Sequence, residues 1–307
     1  MIPMSLITGF LGAGKTTLVS HLAQQYADRR VVMLINEFAK RDVDAQRLAP
    51  MGNVIAIPGG SIFCNCLTAQ FIEQMQQIAS MRIDNEPPEG LIVEASGIAN
   101  PMVVEKMLAE TRLDEHFRLA SIITVVDPGS FLKLLKTLPN ITAQVHAADV
   151  ALINKTDLHS SEQIDQVEAQ LQAIRPGLEV RRTVQCRVDL DLFPSRSSRG
   201  LTGKYAQCAD PNYDRFMMRI DPAITAEQLR DALRGLGERV YRAKGVIRLD
   251  GQPVDIDYAS SNLQLHPVPA NARVTDRLNL ITSGDARYDV TKYLHALGRS
   301  PQLSTVE

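Results

Sequence analysis

The stretch Gly9-Phe10-Leu11-Gly12-Ala13-Gly14-Lys15-Thr16 fits the pattern G-x-x-x-x-G-K-[ST] at every fixed position. Nothing else in the chain limits its fold so tightly, because the pattern works as the turn between a buried strand and a helix. Both flanks comply. Residues 4–8 form a strand candidate, and Leu18, Leu22 and Tyr26 recur at i, i+4 and i+8 across residues 16–27. The residue types follow from the chemistry. Gly9, Gly12 and Gly14 let backbone N–H groups approach phosphate oxygens. A helix starting near Lys15 directs the positive end of its dipole at the same anion. Lys15 is expected to reach the β- and γ-phosphates of a nucleotide, and the Thr16 hydroxyl to ligate Mg²⁺. Gly12, Ala13, Gly14, Lys15, Thr16 and Thr17 are the candidate phosphate contacts, and Lys15 is also a candidate catalytic group.

The remainder of the first two thirds supplies a matching scaffold. Residues 31–36, 54–57, 91–94, 121–126 and 150–154 are further strand candidates, mostly short continuous apolar runs suited to strands buried on both faces. A helix over 161–174 is announced by Ser160 and Gln163, the spacing of a capping box. Alternating strands and helices predict an α/β domain with a mostly parallel sheet flanked by helices. At 307 residues the chain exceeds the usual single core of roughly 250 residues, so a second domain is expected. The Ser-, Arg- and Gly-rich stretch 195–213 reads as the linker, dividing a 1–194 domain from a small α+β domain over 214–307. In the latter, strands are expected at 215–220, 240–250, 254–258, 263–266 and 278–282. A helix is expected at 225–236, with Thr225 and Gln228 as its capping box, and a last helix carries Val290, Tyr293, Leu294 and Leu297.

Asn154-Lys155-Thr156-Asp157 follows an apolar strand candidate and fits N-K-x-D, which selects guanine. A carboxylate at Asp157 accepts from the N1–H and N2–H₂ of guanine. Adenine has no such donor pair, and leaving a buried carboxylate unpaired is costly. Asn154 and Lys155 are expected to hold this loop and cover the base. Glu94 ends another apolar strand in Val93-Glu94-Ala95-Ser96-Gly97, where a carboxylate can serve Mg²⁺. Glu94 is a candidate catalytic and Mg²⁺ residue, Gly97 a γ-phosphate N–H donor and hinge, and Asp44 a further Mg²⁺ or switch carboxylate.

Composition removes several alternatives. A net charge of −2 and no basic, aromatic-laced stripe give no case for nucleic acid or an anionic membrane. No apolar run approaches the length of a transmembrane helix, and the opening Met1-Ile2-Pro3-Met4-Ser5 reads as a buried first strand rather than a leader. Four cysteines are too few for a disulfide framework, which points to a reducing, cytoplasmic setting.

Taken in order, ITGFLGAGKTT, INEF with VDA downstream, IPGGSIFC, IVEASGIANP, VVDP, ALINKTDL and RAKGVIRL resemble the CobW-like GTPases, relatives of the nickel-insertion GTPases of urease and hydrogenase maturation. The resemblance spans nearly the whole chain. It implies a P-loop GTPase domain followed by a small C-terminal domain. It also implies slow, Mg²⁺-dependent hydrolysis of GTP to GDP, coupled to delivery of a metal or metallocofactor to a client protein, with a homodimer as a candidate assembly. On that resemblance Lys15, Thr16, Glu94, Asn154 and Asp157 take the nucleotide and Mg²⁺ roles, and Asp44 the acidic switch position.

The chain departs from the pattern where the family carries C-x-C-C. Here Ser61-Ile62-Phe63-Cys64 follows the two glycines, and Cys66 lies two further on. Side chains two apart in an extended segment point the same way, so both thiols can face one ion such as Zn²⁺ or Co²⁺, the other ligands coming from His, water, a second subunit, a client or Glu37, whose segment the resemblance sets near the cysteine motif. Two alternatives stand beside that one: a former metal loop turned client contact, and redox chemistry. Cys186 and Cys208 read as unrelated to that pair, one bordering the linker and one inside it. A GTP switch without metal cargo and a small-molecule kinase remain as other functions, the N-K-x-D element speaking against the kinase.

Overall fold

The computed structural model describes residues 1–37, 53–58, 68–195, 198–204, 213–259, 262–268 and 274–283. The chain divides into two compact units, Met1–Cys208 and Ala209–Glu307. The first unit runs β1 (Ile2–Gly9), α1 (Lys15–Gln25), β2 (Val31–Glu37), β3 (Asn53–Pro58), α2 (Thr68–Ser80), β4 (Gly90–Glu94), α3 (Val104–Glu110), β5 (Phe117–Val126), α4 (Phe131–Thr137), α5 (Pro139–Ala147), β6 (Val150–Ile153), α6 (Ser161–Ile174) and β7 (Glu179–Arg182).

The strands form one seven-stranded sheet in the order β3-β2-β4-β1-β5-β6-β7. Every neighbouring pair is parallel. Successive residues of β1 feed opposite cores, which is why Leu6 and Ile7 are both apolar rather than alternating with polar residues. Leu6 packs with Leu91, Val93, Phe71, Met75 and Met107, while Ile7 packs with Ile92, Val125, Leu18 and Leu22. Each such side chain contributes about 1.5–3 kcal/mol when fully buried. The seventh strand was not expected. Its sequence, Glu-Val-Arg-Arg, has one apolar residue, because an edge strand keeps charges on its open side. Arg182 holds its proton more tightly than usual through hydrogen bonds to Glu168 and Asp165.

Ser160 caps α6, its hydroxyl accepting from the Gln163 N–H at 3.3 Å. The Gln163 side chain does not complete the expected box; it donates to the Pro128 carbonyl at 3.0 Å and ties α6 to the turn after β5.

Part of the expected linker belongs to the first unit. The N–H groups of Arg199 and Leu201 both donate to the Glu105 carboxylate at 2.7 Å, and the Arg199 guanidinium pairs with buried Asp149. Gly203 lies against the 102–103 backbone, where a Cβ would fall 2.6 Å from the Met102 carbonyl carbon. Low apolarity therefore marked a strap bound through polar contacts rather than a free connection.

In the second unit β8 (Tyr213–Arg219), α7 (Ala226–Leu236), β9 (Val240–Leu249), β10 (Gln252–Ala259), β11 (Asn262–Pro267) and β12 (Arg277–Ser283) build an antiparallel sheet in the order β11-β10-β9-β12-β8. Leu229, Leu233 and Leu236 of α7 pack onto Ala243, Ile247, Ile256 and Leu280. Thr225 and Gln228 form the complete capping box. The expected last helix around Val290 lies outside the described residues. No described helix is long and apolar enough to cross a membrane.

Candidate functional site

Four adjacent strands, β4, β1, β5 and β6, end side by side, and the loops leaving their carboxyl ends carry the expected site residues. The turn after β1 requires its glycines. Gly9 has φ 129°, and a Cβ there would lie 2.2 Å from the Val125 carbonyl oxygen. Gly14, at φ 115°, caps α1, and a Cβ there would lie 2.4 Å from the Asn154 amide nitrogen. Gly9→Ala is expected to lower stability by about 2 kcal/mol or more, since both the backbone conformation and the neighbouring strand oppose it. Chemical denaturation checks this; an unchanged midpoint contradicts it.

At the phosphate end, Lys15 is buried, and its Nζ donates to the Phe10 carbonyl across the loop at 3.2 Å. Ala13 is buried, Gly12 half-buried, and Thr17 exposed on α1. The Thr16 hydroxyl donates to Glu94 Oε1 at 3.1 Å, so the two expected Mg²⁺ groups meet although 78 positions apart. A hydroxyl beside a buried carboxylate is an oxygen-only donor pair, which fits Mg²⁺ rather than a thiophilic ion. The segment after Glu94 is held from both sides. Asn36 accepts from the Ser96 N–H at 3.3 Å, Gln144 donates to the Gly97 and Ala99 carbonyls at 3.2 Å, and Asn140 donates to the Ile98 carbonyl at 2.8 Å. Gly97 sits against the phosphate loop; a Cβ there would lie 2.6 Å from the Leu11 nitrogen. That close approach sets Gly97 beside the phosphate loop, in a segment fixed by these contacts.

At the base end, Asn154 ties two loops together. Its Nδ2 donates to the Ala13 carbonyl at 2.9 Å, and its Oδ1 accepts from the Cys186 N–H at 2.8 Å and the Thr183 hydroxyl at 3.3 Å. Lys155 adopts φ 60° and its Nζ donates to Asp127 Oδ2 at 2.6 Å. Asp157 stands exposed on the single turn Thr156–Leu158, so the buried carboxylate expected above for rejecting adenine is open to solvent in the free chain.

Cys186 was missed by sequence reasoning. Far from being a bystander at the linker, its Sγ donates to the Gly14 carbonyl at 3.4 Å. Burial pushes its thiol up to about 12, which keeps it a protonated donor rather than a nucleophile. Gln185 and Cys186 take left-handed φ values of 54° and 55°, a bend that no glycine announces. Thr183 and Gln144 carried no signal either, being single polar residues outside any motif, while Asp127 lies in the VVDP stretch, which served only the resemblance and was given no role.

Asp44, Cys64 and Cys66 lie outside the described residues, and Glu37 ends β2 in register with Pro58. Among the described residues no group of three or more His, Cys, Asp or Glu gathers to hold a metal.

The chain is 28% identical over 231 residues to zinc-regulated GTPase metalloprotein activator 1 of Schizosaccharomyces pombe, covering 69% of this chain and 54% of that protein. It is 23% identical over 267 residues to the zinc chaperone YjiA of Escherichia coli, covering 82% of this chain and 83% of that one. The chain thus spans about half the length of the first relative and most of the second. The crystal structure of Zn(II)-bound YjiA GTPase from E. coli aligns over 97% of this chain and 99% of that chain, with a TM-score of 0.45 and 17% identity. The model of the cobalamin synthesis protein cobW C-terminal domain matches residues 213–296. That of the CobW/HypB/UreG nucleotide-binding domain matches residues 3–182, more than half of the chain, which therefore belongs to the CobW/HypB/UreG family.

Proposed function

We propose that this chain is a Mg²⁺-dependent GTP hydrolase, slow on its own, that acts in the cytoplasm as a metallochaperone or metallocofactor-maturation factor for a client protein. One observation carries the reading: Asn154 joins the phosphate loop at Ala13 to the loop that bears Lys155 and Asp157. One bound molecule with phosphates at one end and guanine at the other spans both. The hydrolysis needs no covalent step. Lys15 and the loop N–H groups hold and neutralise the phosphates, Gly97 offers an N–H to the terminal one, and Asp157 selects the base. Thr16 and Glu94 would hold Mg²⁺, which supplies charge neutralisation at the β- and γ-oxygens. No described side chain is assigned to orient water. Slow turnover, accelerated by a client or by a second copy, is part of the reading that the family resemblance implies.

The metal cargo rests on family membership and on relatives described as zinc chaperones and a metalloprotein activator. Cys64 and Cys66, with Glu37, are the proposed contacts for Zn²⁺, Co²⁺ or another transition metal. One sequence observation favours a second reading, a GTP switch without metal: Ser61 and Phe63 stand where the family pattern has thiols. The first test is phosphate release from GTP and from ATP, with Mg²⁺ and with a chelator. Mg²⁺-dependent release from GTP alone is the expected result; equal turnover of ATP would overturn the reading.

A further inference from the structure

Asp127 follows β5 and is 5% exposed, and beyond accepting from Lys155 it has been given no role above. Three groups converge on its carboxylate. Lys155 Nζ donates to Oδ2 at 2.6 Å, the Gly129 N–H donates to Oδ1 at 2.9 Å, and His159 Nε2 lies 3.4 Å from Oδ1. His159 packs on Gly129, where a Cβ would lie 2.9 Å from its Cε1. Lys155 and His159 stand two residues before and two residues after Asp157. A single buried carboxylate therefore stands between both legs of the turn that presents Asp157, bonded to Lys155 and close to His159. Asp127 is itself held in place, since the adjoining Pro128 carbonyl accepts from Gln163 of α6.

This arrangement also answers a local difficulty. Lys155 sits at φ 60°, a conformation that costs a non-glycine residue stability unless its surroundings enforce it. The short charge-assisted bond to Asp127 supplies that enforcement. It also fixes the ammonium, so the four-carbon stem of Lys155 presents one apolar wall to the base instead of sampling many rotamers.

We propose that Asp127 is a positioning residue for guanine selection: it sets the Asp157 turn by holding Lys155 and His159, without touching the nucleotide. The proposal rests on the guanine-nucleotide reading above. The test is competition binding of GDP and ADP to the full chain and to three variants: Asp127→Asn, Lys155→Met and the double variant. Asp127→Asn keeps the shape and an acceptor for Gly129 but removes the charge. GDP affinity is expected to fall about tenfold in each single variant; in Asp127→Asn the ADP affinity stays within about twofold of wild type because the phosphate loop is untouched. In the double variant the losses are not multiplied, since both substitutions remove one contact.

A GDP-to-ADP ratio unchanged in Asp127→Asn would overturn the proposal, as would losses that multiply in the double variant. Lys155→Met reads the same contact from the other side, so the proposal stays testable if Asp127→Asn fails to fold; an unchanged ratio there overturns it equally. A wild-type chain that binds GDP and ADP alike is a different result, and removes the guanine reading together with this one.

Discussion

Lys15→Ala is expected to reduce GTP turnover by about 10³-fold or more, a barrier increase of roughly 4 kcal/mol. The residue is buried at the start of α1, inside the loop whose carbonyl at Phe10 accepts from its ammonium. A buried cation aimed into a glycine-built cradle has its full electrostatic effect on charge that develops as the terminal phosphoryl group leaves. No other cationic side chain is assigned to that end. Nucleotide-free melting and the circular dichroism spectrum separate this effect from misfolding. Turnover within tenfold of wild type in a folded Lys15→Ala chain would mean that the loop does not hold the reacting phosphates.

Asp157→Ala is expected to compress discrimination between GTP and ATP by about 10²–10⁴-fold. Two hydrogen bonds from guanine to a carboxylate, each contributing about 1.5–3 kcal/mol, set that range. The loss falls on GTP, since ATP never made the contacts. The exposed position of Asp157 means that the variant leaves no buried group unpaired and should fold normally. Asp157→Asn sharpens the test, because an amide offers one donor where the carboxylate offered two acceptors. A purine bearing a carbonyl in place of the 2-amino group then fits better than guanine, so xanthine nucleotides should gain relative to GTP. Competition binding with the three nucleotides measures both variants, and unaltered guanine preference in either would displace Asp157 from the base.

The two ends of the site were legible because their chemistry is local. Eight consecutive residues specify the phosphate loop, and four specify the base reader. Strands buried on both faces were equally plain, since Leu6 and Ile7 must both be apolar when a sheet is covered on both sides. What escaped is long-range. Cys186 reaches Gly14 across 172 positions, and Asp127 reaches Lys155 across 28. Their roles come from where the parallel strands end, which no local pattern encodes. The edge strand Glu179–Arg182 escaped for the opposite reason: the need to keep its open side charged erased the apolar signal. The strap around Arg199 mimicked a linker because its anchors, Glu105 and Asp149, are carboxylates rather than apolar residues.

The central claim joins the nucleotide site to metal handling, and one titration bears on it most directly. Reduced full-length protein is titrated with Zn²⁺ and with Co²⁺ against a competing chelator, once with GDP and once with a non-hydrolysable GTP analogue. The Cys64→Ser, Cys66→Ser double variant is run in parallel. The account predicts tight, cysteine-dependent binding whose affinity differs between the two nucleotide states. Metal binding that is absent in both states would contradict it, as would binding indifferent to nucleotide and to the two thiols, leaving a GTP switch whose cargo is not a metal ion.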